Sequence, residues 1–427
     1  MISCNVNKNL IVRWLIVCIC LLVSPYTLLV LVPVFIILFY KKIYNKFDLL
    51  LLYFLSFLIF NTLVTLGTLG NIRFLLIFVC ILDVFLGKKE LKKGKKPLLG
   101  ILIFCFLIYI LLNTIFVSSI TDYSFLQFLQ FVILLLFTFI STSFKTLKEF
   151  KYIYENIFNL YIVVLGLSLL ALAIPSISFA RNGTGFQGIT LHPNAYGIFF
   201  SAFTALTFVM YIYKNKILYI LLFILSLTSV FLSQSRTSLL SILLGLLIYF
   251  LITPEFRKKM SRTTLIALPV ICLLLISMYD KISEFIYSFL LKGGNGSIIE
   301  SVEKSRGTLI DAQIKNIQEN TFFGIGFKVP SLKSLKIIED LETIQYEKGN
   351  FFLACVEELG VLGFIFFISI IIYLLLNRYK YDKVFSIIPL TLFVTVLGES
   401  TLFSIGGLGV FIWAMMFLNR KNNYKSI

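Results

Sequence analysis

The sequence predicts an all-α polytopic membrane protein, and three observations carry that prediction. Of its 427 residues 59% are hydrophobic and only 14% are charged, whereas soluble globular domains carry about 25% charged residues. The apolar residues come in successive runs of roughly 17 to 25, the length a helix needs to cross a bilayer, and they do not alternate with polar residues as barrel strands would. Basic residues fall in every second connection between those runs, which is the signature of alternating topology.

Taken in order, the predicted spans are 9–24, 26–40, 47–66, 71–87, 97–118, 124–142, 153–175, 192–213, 217–234, 237–253, 263–279, 350–376, 384–400 and 403–419. The first two meet at Ser24-Pro25 and can be read as one broken helix, so the expected count is about 14 (12–14). No cleavable signal peptide is expected, because the first apolar run lacks a small-residue cleavage site and is followed by further spans. The cationic connections are KKIYNK (41–46), KKELKKGKK (88–96), FKTLKEFK (144–151), KNK (214–216), EFRKKMSR (255–262), NRYKYDK (377–383) and the tail from Asn419. The short connections between them hold no lysine. The positive-inside rule makes the lysine-bearing side cytoplasmic, with both termini inside a cell (inner or plasma) membrane. The net charge of +17 is then a topology signal, and no nucleic-acid partner is expected, since its footprint would be one basic patch or stripe.

Four regions follow: N-terminal spans over 1–150, a second group over 151–279 with a first outer loop at 176–191, a large extracytoplasmic loop at 280–349, and C-terminal spans with the tail at 350–427. The large loop holds ten acidic and nine basic residues, a balance that suits a folded cap. Within it, Leu309, Ile310, Ile314 and Ile317 recur at helical spacing behind Ser305 as an N-cap, predicting a short amphipathic helix on the outer surface.

The chain uses 29 lysines and nine arginines, yet Arg73, Arg181, Arg236 and Arg306 all fall on the predicted outer side, where lysine is confined to the large loop. Arginine stays charged in a low dielectric and holds two phosphate oxygens with one planar fork. Arg236 is the only charge between Ile217 and Ile252, and an ionisable group there marks function unless it finds a partner. The bland readings are snorkelling for Arg73, capping of a turn for Arg236 and solvation for Arg306, with Arg181 balanced between structure and function. Glu357, Glu358 and Glu399 lie at outer ends of spans, where each could pair with an arginine. Asp48 and Asp83 fit inner interfacial positions. The span centres are otherwise free of charge, which argues against an ion-coupled transporter. His192 is the lone histidine. Pro193 after it suits a first helical turn, so a structural role for His192 stands beside a catalytic one. No cofactor or metal is expected: the cysteines sit mostly in apolar runs and form no ligand cluster.

Four stretches then resemble the O-antigen ligase/polysaccharide polymerase superfamily: GFQGITLHPNAYG (185–197), LSQSRTSLL (232–240), SRGTLIDAQIKNIQENTFFGIGF (305–327) and GNFFLACVEELGVLGFIFF (349–367). The resemblance covers roughly residues 150–420 and implies a GT-C-like membrane glycosyltransferase architecture. It implies a saccharide on undecaprenyl diphosphate as substrate, with Arg236 and Arg306 on the diphosphate. Where the ligases begin the fourth motif with His-Asn, this chain has Gly349-Asn350. That departure favours a repeat-unit polymerase and leaves the base open among Glu347, His192 and the Glu357/Glu358 pair. Arg181, His192, Asn194, Asn350, Glu358 and Tyr346 are the expected substrate-binding residues. A flippase and a chain-length regulator are expected partners. Other readings are a ligase transferring finished polysaccharide, a lipid-linked oligosaccharide flippase and a non-catalytic assembly partner.

Overall fold

The computed structural model describes residues 6–59, 71–86, 97–142, 147–180, 185–260, 310–331, 348, 350–396, 398–399 and 401–418. The predicted span 263–279 lies outside these residues, as do Arg181, Arg306, Tyr346 and Glu347. The described residues are helical, with one isolated antiparallel bridge between Ile59 and Thr190.

The helices are α1 (Lys8–Val23), α2 (Leu28–Tyr40), α3 (Lys46–Leu58), α4 (Phe74–Leu86), α5 (Pro97–Phe116), α6 (Thr121–Ser141), α7 (Leu147–Leu170), the one-turn α8 (Pro175–Ser178), α9 (Pro193–Lys214), α10 (Ile217–Leu232) and α11 (Arg236–Ile252). They continue as α12 (Pro254–Met260), α13 (310–319), α14 (Phe351–Tyr381), α15 (Ile387–Thr395) and α16 (Gly407–Phe417). Five helices are long and apolar enough to cross a membrane, or six if α11 and α12, bent by 107°, count as one span. This is a multi-pass membrane protein. Among the described residues the expected spans are not all full-length helices, however: α2, α3, α15 and α16 run only 9 to 13 residues, short of the roughly 20 that a bilayer requires.

Burial explains two of them. In α3, Leu49 to Leu55 are all 0% exposed, and in α16 every residue but Leu408 is buried. A helix apolar all round belongs in the interior, where it need not reach both interfaces. Phe54 of α3 stacks on Phe411 of α16 at 4.6 Å, and Phe199 of α9 closes on Phe54 at 5.2 Å. Helix α9 packs against α7, α10, α11 and α15 and is the axis of the bundle. On the outside the pattern reverses. Leu240, Leu243, Leu247 and Leu251 form one exposed stripe on α11, and Ile101, Phe104, Ile108, Leu112 and Ile115 form another on α5. Apolar stripes of that size suit lipid, not water.

Lipid removes the hydrophobic drive between helices, so close packing and buried hydrogen bonds hold them. Small residues permit the approach: a Cβ at Gly197 of α9 would stand 2.5 Å from the Ser235 Cβ, and one at Gly245 of α11 would stand 2.7 Å from the Thr391 hydroxyl of α15.

Contacts between helix ends sort the molecule into two faces. The starts of α1, α3 and α7 meet through Arg13, Asp48, Tyr152 and Asn156. Arg378 of α14 reaches Phe150 and Tyr154 of α7, and Lys383 pairs with Glu255 of α12. These ends carry the cationic connections. At the opposite end, the Leu191 N–H donates to the Leu58 carbonyl at the end of α3. There Gly398 abuts Thr237 at the start of α11, and Phe352 at the start of α14 packs on Phe393 near the end of α15.

Three local expectations are corrected. The charge run after residue 253, expected as a connection, begins with helix α12, because Phe256 is buried against Tyr249 and anchors it. The span expected over 350–376 is broken at Gly360, whose φ of 66° is non-helical. Asp48, expected at an interface, is 0% exposed, because α1 and α7 cover it with an arginine and an asparagine.

Candidate functional site at the lysine-poor end

Arg236 is placed by a tight turn between α10 and α11. Gln234 adopts a left-handed φ of 55°, Ser235 is the N-cap and Arg236 is the first helical residue. The turn is braced by the 185–197 stretch: the Phe186 N–H donates to the Leu232 carbonyl at 2.9 Å, and a Cβ on Gly185 would lie 3.1 Å from the Ser233 carbonyl oxygen. Two of the four sequence motifs are thus packed together. The Arg236 side chain is half-buried, and its Nε and Nη2 are buried without a hydrogen-bond partner. Among the described residues no carboxylate lies within ion-pair distance of it. A cation at a helix N-terminus opposes the macrodipole. Both the guanidinium and the first-turn N–H groups present donors, and that combination suits an anion.

Beside this turn, His192 caps α9. Its Nδ1 accepts from the Asn194 N–H at 3.1 Å, which assigns the ring proton to Nε2 when the imidazole is neutral. The Asn194 amide donates to the Glu399 carboxylate at 3.0 Å. Glu399 follows Gly398, which touches Thr237, so His192, Asn194, Glu399 and Arg236 occupy adjoining ends of α9, α11 and α15. Asn350 is likewise a cap, accepting from the Phe352 and Leu353 N–H groups at the start of α14. Arg73, expected to snorkel, lies 3.6 Å over the Phe57 ring and donates to the Ser56 carbonyl.

A buried ionic cluster forms where residues 316–331 meet α14. Lys348 bridges Glu357 at 2.8 Å and Glu358 at 3.1 Å, with all three side chains at most 1% exposed. Glu357 also accepts from Asn316 at 2.7 Å and Ser331 at 3.0 Å, and Glu358 accepts from the Lys328 N–H at 2.9 Å. Burial alone would lower the Lys348 ammonium, but Glu358 and Glu357 outweigh it and hold it above the ordinary lysine value. Lys328 is pushed down to about 8 by burial, with Glu358 offsetting part of that and Lys348 adding to it. The break at Gly360 gives the loop its berth. Ile325 and Gly326 donate to the Glu357 and Glu358 carbonyls, and Val361 donates to Thr321. A Cβ at Gly360 would stand 2.1 Å from the Phe322 oxygen.

The sequence reading allowed an arginine opposite each of Glu357 and Glu358; among the described residues the cation that pairs with both is Lys348. Sequence reasoning passed over Lys348, whose one distinguishing signal is its place immediately before a span containing two adjacent acids. Helix α13 is also rotated from its expected setting, with Ile310 and Ile317 half-buried. Its buried face is Ala312, Gln313 and Asn316, while Ile314 is exposed, because Asn316 is drawn to Glu357. Among the described residues no group of three or more His, Cys, Asp or Glu side chains gathers as metal ligands.

No curated protein shows a significant match to the chain. Residues 221–368 match the family described as O-antigen ligase, a stretch that takes in the turn of Arg236, the segment leading into α13 and the acids of α14. The match covers less than half of the chain, and over that stretch the protein is similar to the O-antigen ligase family.

Proposed function

We propose that this protein is a repeat-unit polymerase for a surface polysaccharide (capsule, exopolysaccharide or O-antigen) that works at the outer leaflet without a metal. The donor is a glycan on undecaprenyl diphosphate, and the acceptor is a sugar hydroxyl on an incoming lipid-linked unit. The hydroxyl oxygen attacks the anomeric carbon, the bond to the diphosphate oxygen breaks with inversion, and the hydroxyl proton passes to a base. Undecaprenyl diphosphate leaves with the electron pair. The observation that carries this reading is the half-buried Arg236 guanidinium with two unpartnered nitrogens at the start of α11. A diphosphate there would receive a planar fork of donors in a partly dehydrated site, where charge stabilisation is most effective.

Arg306, Arg181 and Tyr346 complete the proposed site from the outer loops, with Arg306 as the second diphosphate ligand and Tyr346 stacking on sugar. Glu347 is the proposed base. His192 and Asn350 act by fixing helix N-termini at this end, and Asn194 by orienting Glu399. Glu358 acts through Lys348 to hold the loop.

The test is Arg236→Lys, which keeps charge but loses the fork. Polymer should fall at least 100-fold at normal expression, while single-unit products persist. Normal polymer from this variant would refute the diphosphate role. The matched family's description favours a second reading, a ligase handing finished polysaccharide to another acceptor. A deletion strain distinguishes the two, since loss of a ligase leaves long unattached chains and loss of a polymerase leaves single units.

A further inference from the structure

The face of α11 that carries Arg236 is also the face turned to lipid. Leu240, Leu243, Leu247 and Leu251 all lie within about 60° of Arg236 around the helix axis, at about 100° per residue. These leucines are 50% to 67% exposed. Ser238, Ser241, Ile242, Gly245 and Tyr249, on the opposite side, are buried where α11 packs on α9 and α15. From Leu239 to Ile252 every residue that is not buried is apolar.

Arg236 therefore stands at the head of an apolar stripe. The stripe runs about 22 Å down the helix, most of a hydrocarbon core of about 30 Å. Long helical side chains lean towards the N-terminus, so the guanidinium reaches from that stripe to the lysine-poor interface. Its Nε and Nη2 lack hydrogen-bond partners. The stripe on α5 has no such head. There Ile101, Phe104, Ile108, Leu112 and Ile115 lead to residues 117–122, which hold no cation and one acid, Asp122. Unpartnered donors and an uninterrupted apolar face on one side of one helix fit a molecule that combines an anionic head with a long hydrocarbon tail. A soluble anion would use the guanidinium alone.

We infer that the donor lipid reaches Arg236 sideways out of the membrane along α11, its polyprenyl tail lying on Leu240, Leu243, Leu247 and Leu251 while the diphosphate is held. This rests on the diphosphate reading of Arg236 and adds the side of the bundle from which the substrate enters. The face supplies a path and an orientation more than affinity, because hydrocarbon gains little by leaving lipid for leucine. Affinity comes from the head, so the placement of the tail is the quantity to measure.

The test uses the full chain in phosphatidylcholine nanodiscs, with p-benzoylphenylalanine introduced singly in place of Leu243, of Leu247 or, on α5, of Ile108. All three side chains are exposed, so the packed interior is left as it is, and a thermal shift checks this. The probe is radiolabelled undecaprenyl diphosphate. A tail tethered by its head has a raised local concentration, so photolabelling from the two α11 positions should exceed that from α5 by about 10-fold or more. Arg236→Met should bring the α11 positions down to the α5 level, and an excess of dioleoylphosphatidylglycerol should not compete. Equal labelling from α5 and α11, labelling that survives Arg236→Met, or competition by phosphatidylglycerol would each overturn the inference. Labelling needs no turnover, so the two readings fail separately. The expected pattern in a chain that makes no polymer would sink the transferase activity alone. Tail labelling elsewhere in a chain that does polymerise would sink the α11 route alone.

Discussion

Two half-buried arginines at opposite ends of the bundle have opposite surroundings. Arg13 of α1 meets Asp48 at 2.9 Å, donates to Tyr152 and Asn156 and lies over the rings of Trp14 and Tyr44. Asp48 in turn accepts from Asn156 and from the Asn45 N–H of its own capping box. The network ties α1, α3 and α7 together. Arg236 has aromatic and hydroxyl neighbours in sequence but no acid, and two of its nitrogens lack partners. A charge paired with an acid of its own protein acts as structure, whereas a charge at a helix start with no acid partner among the described residues is suited to a ligand. The difference in partners, more than the residue type, separates scaffold from site.

The largest effect should come from breaking the compensated side. Asp48→Ala strands Arg13 in the interior, and removal of one partner of a buried pair costs about 3–5 kcal/mol. Apparent Tm in detergent should fall accordingly, and Arg13→Met/Asp48→Leu should recover most of it. Arg236→Met should leave Tm unchanged or higher while polymer is lost. An equal fall in Tm from Arg236→Met would erase the distinction between the two ends.

Lys348→Met should rank next. It leaves Glu357 and Glu358 together without their shared cation, yet Asn316, Ser331 and the Lys328 N–H still donate to them. A loss of about 2–4 kcal/mol is expected, with recovery when Glu357→Gln and Glu358→Gln are added. Failure of the triple variant to recover stability would mean that the ammonium does more than balance the two acids.

Arg236 was legible because a single charge in an apolar stretch is conspicuous, and the axis helix α9 because its apolar run is long and ends at lysine. Lys348 was not, since nothing in a list of loop lysines says which one folds inward; only the berth built by the Gly360 break decides that. Gly360 itself lies in an apolar run that continues past it, so hydropathy cannot show the break. For α13 the period was readable and the buried face was not. Periodicity reports that two faces differ, and in a membrane protein the polar face can be the inner one. Helix α12 was hidden by its charge, although Phe256 was the residue that fixed it.

A smaller effect, with a defined pH window, belongs to Lys328. Burial holds its ammonium at about 8, against 10.5 when unburied. Below pH 8 both folded and unfolded chains carry the proton, and the full burial cost is present. Between pH 8 and 10.5 the folded chain releases it while the unfolded chain keeps it, so stability rises with pH across that window. Lys328→Met should raise apparent stability at pH 7 by on the order of 1–3 kcal/mol and flatten the profile between pH 8 and 10. Lys348, held above its ordinary value by its acids, contributes stability that is lost only at higher pH, so the two lysines do not mask each other. A profile that falls between pH 8 and 10 would contradict the sign for Lys328.

The smallest effect is the one that decides what His192 does. Its Nδ1 is engaged as a cap acceptor for the Asn194 N–H, and asparagine supplies the same acceptor at an N-cap with equal or better propensity. His192→Asn should therefore change apparent stability by less than about 0.5 kcal/mol, whereas His192→Ala should cost about 1 kcal/mol. Polymer should be retained in His192→Asn, because the orientation of Asn194 toward Glu399 survives when the cap does. If His192→Asn keeps its Tm and loses polymer, the imidazole Nε2 takes part in the chemistry, and the base belongs at the start of α9 instead of at Glu347. Measuring both variants for stability and product separates a residue that shapes the site from one that acts in it.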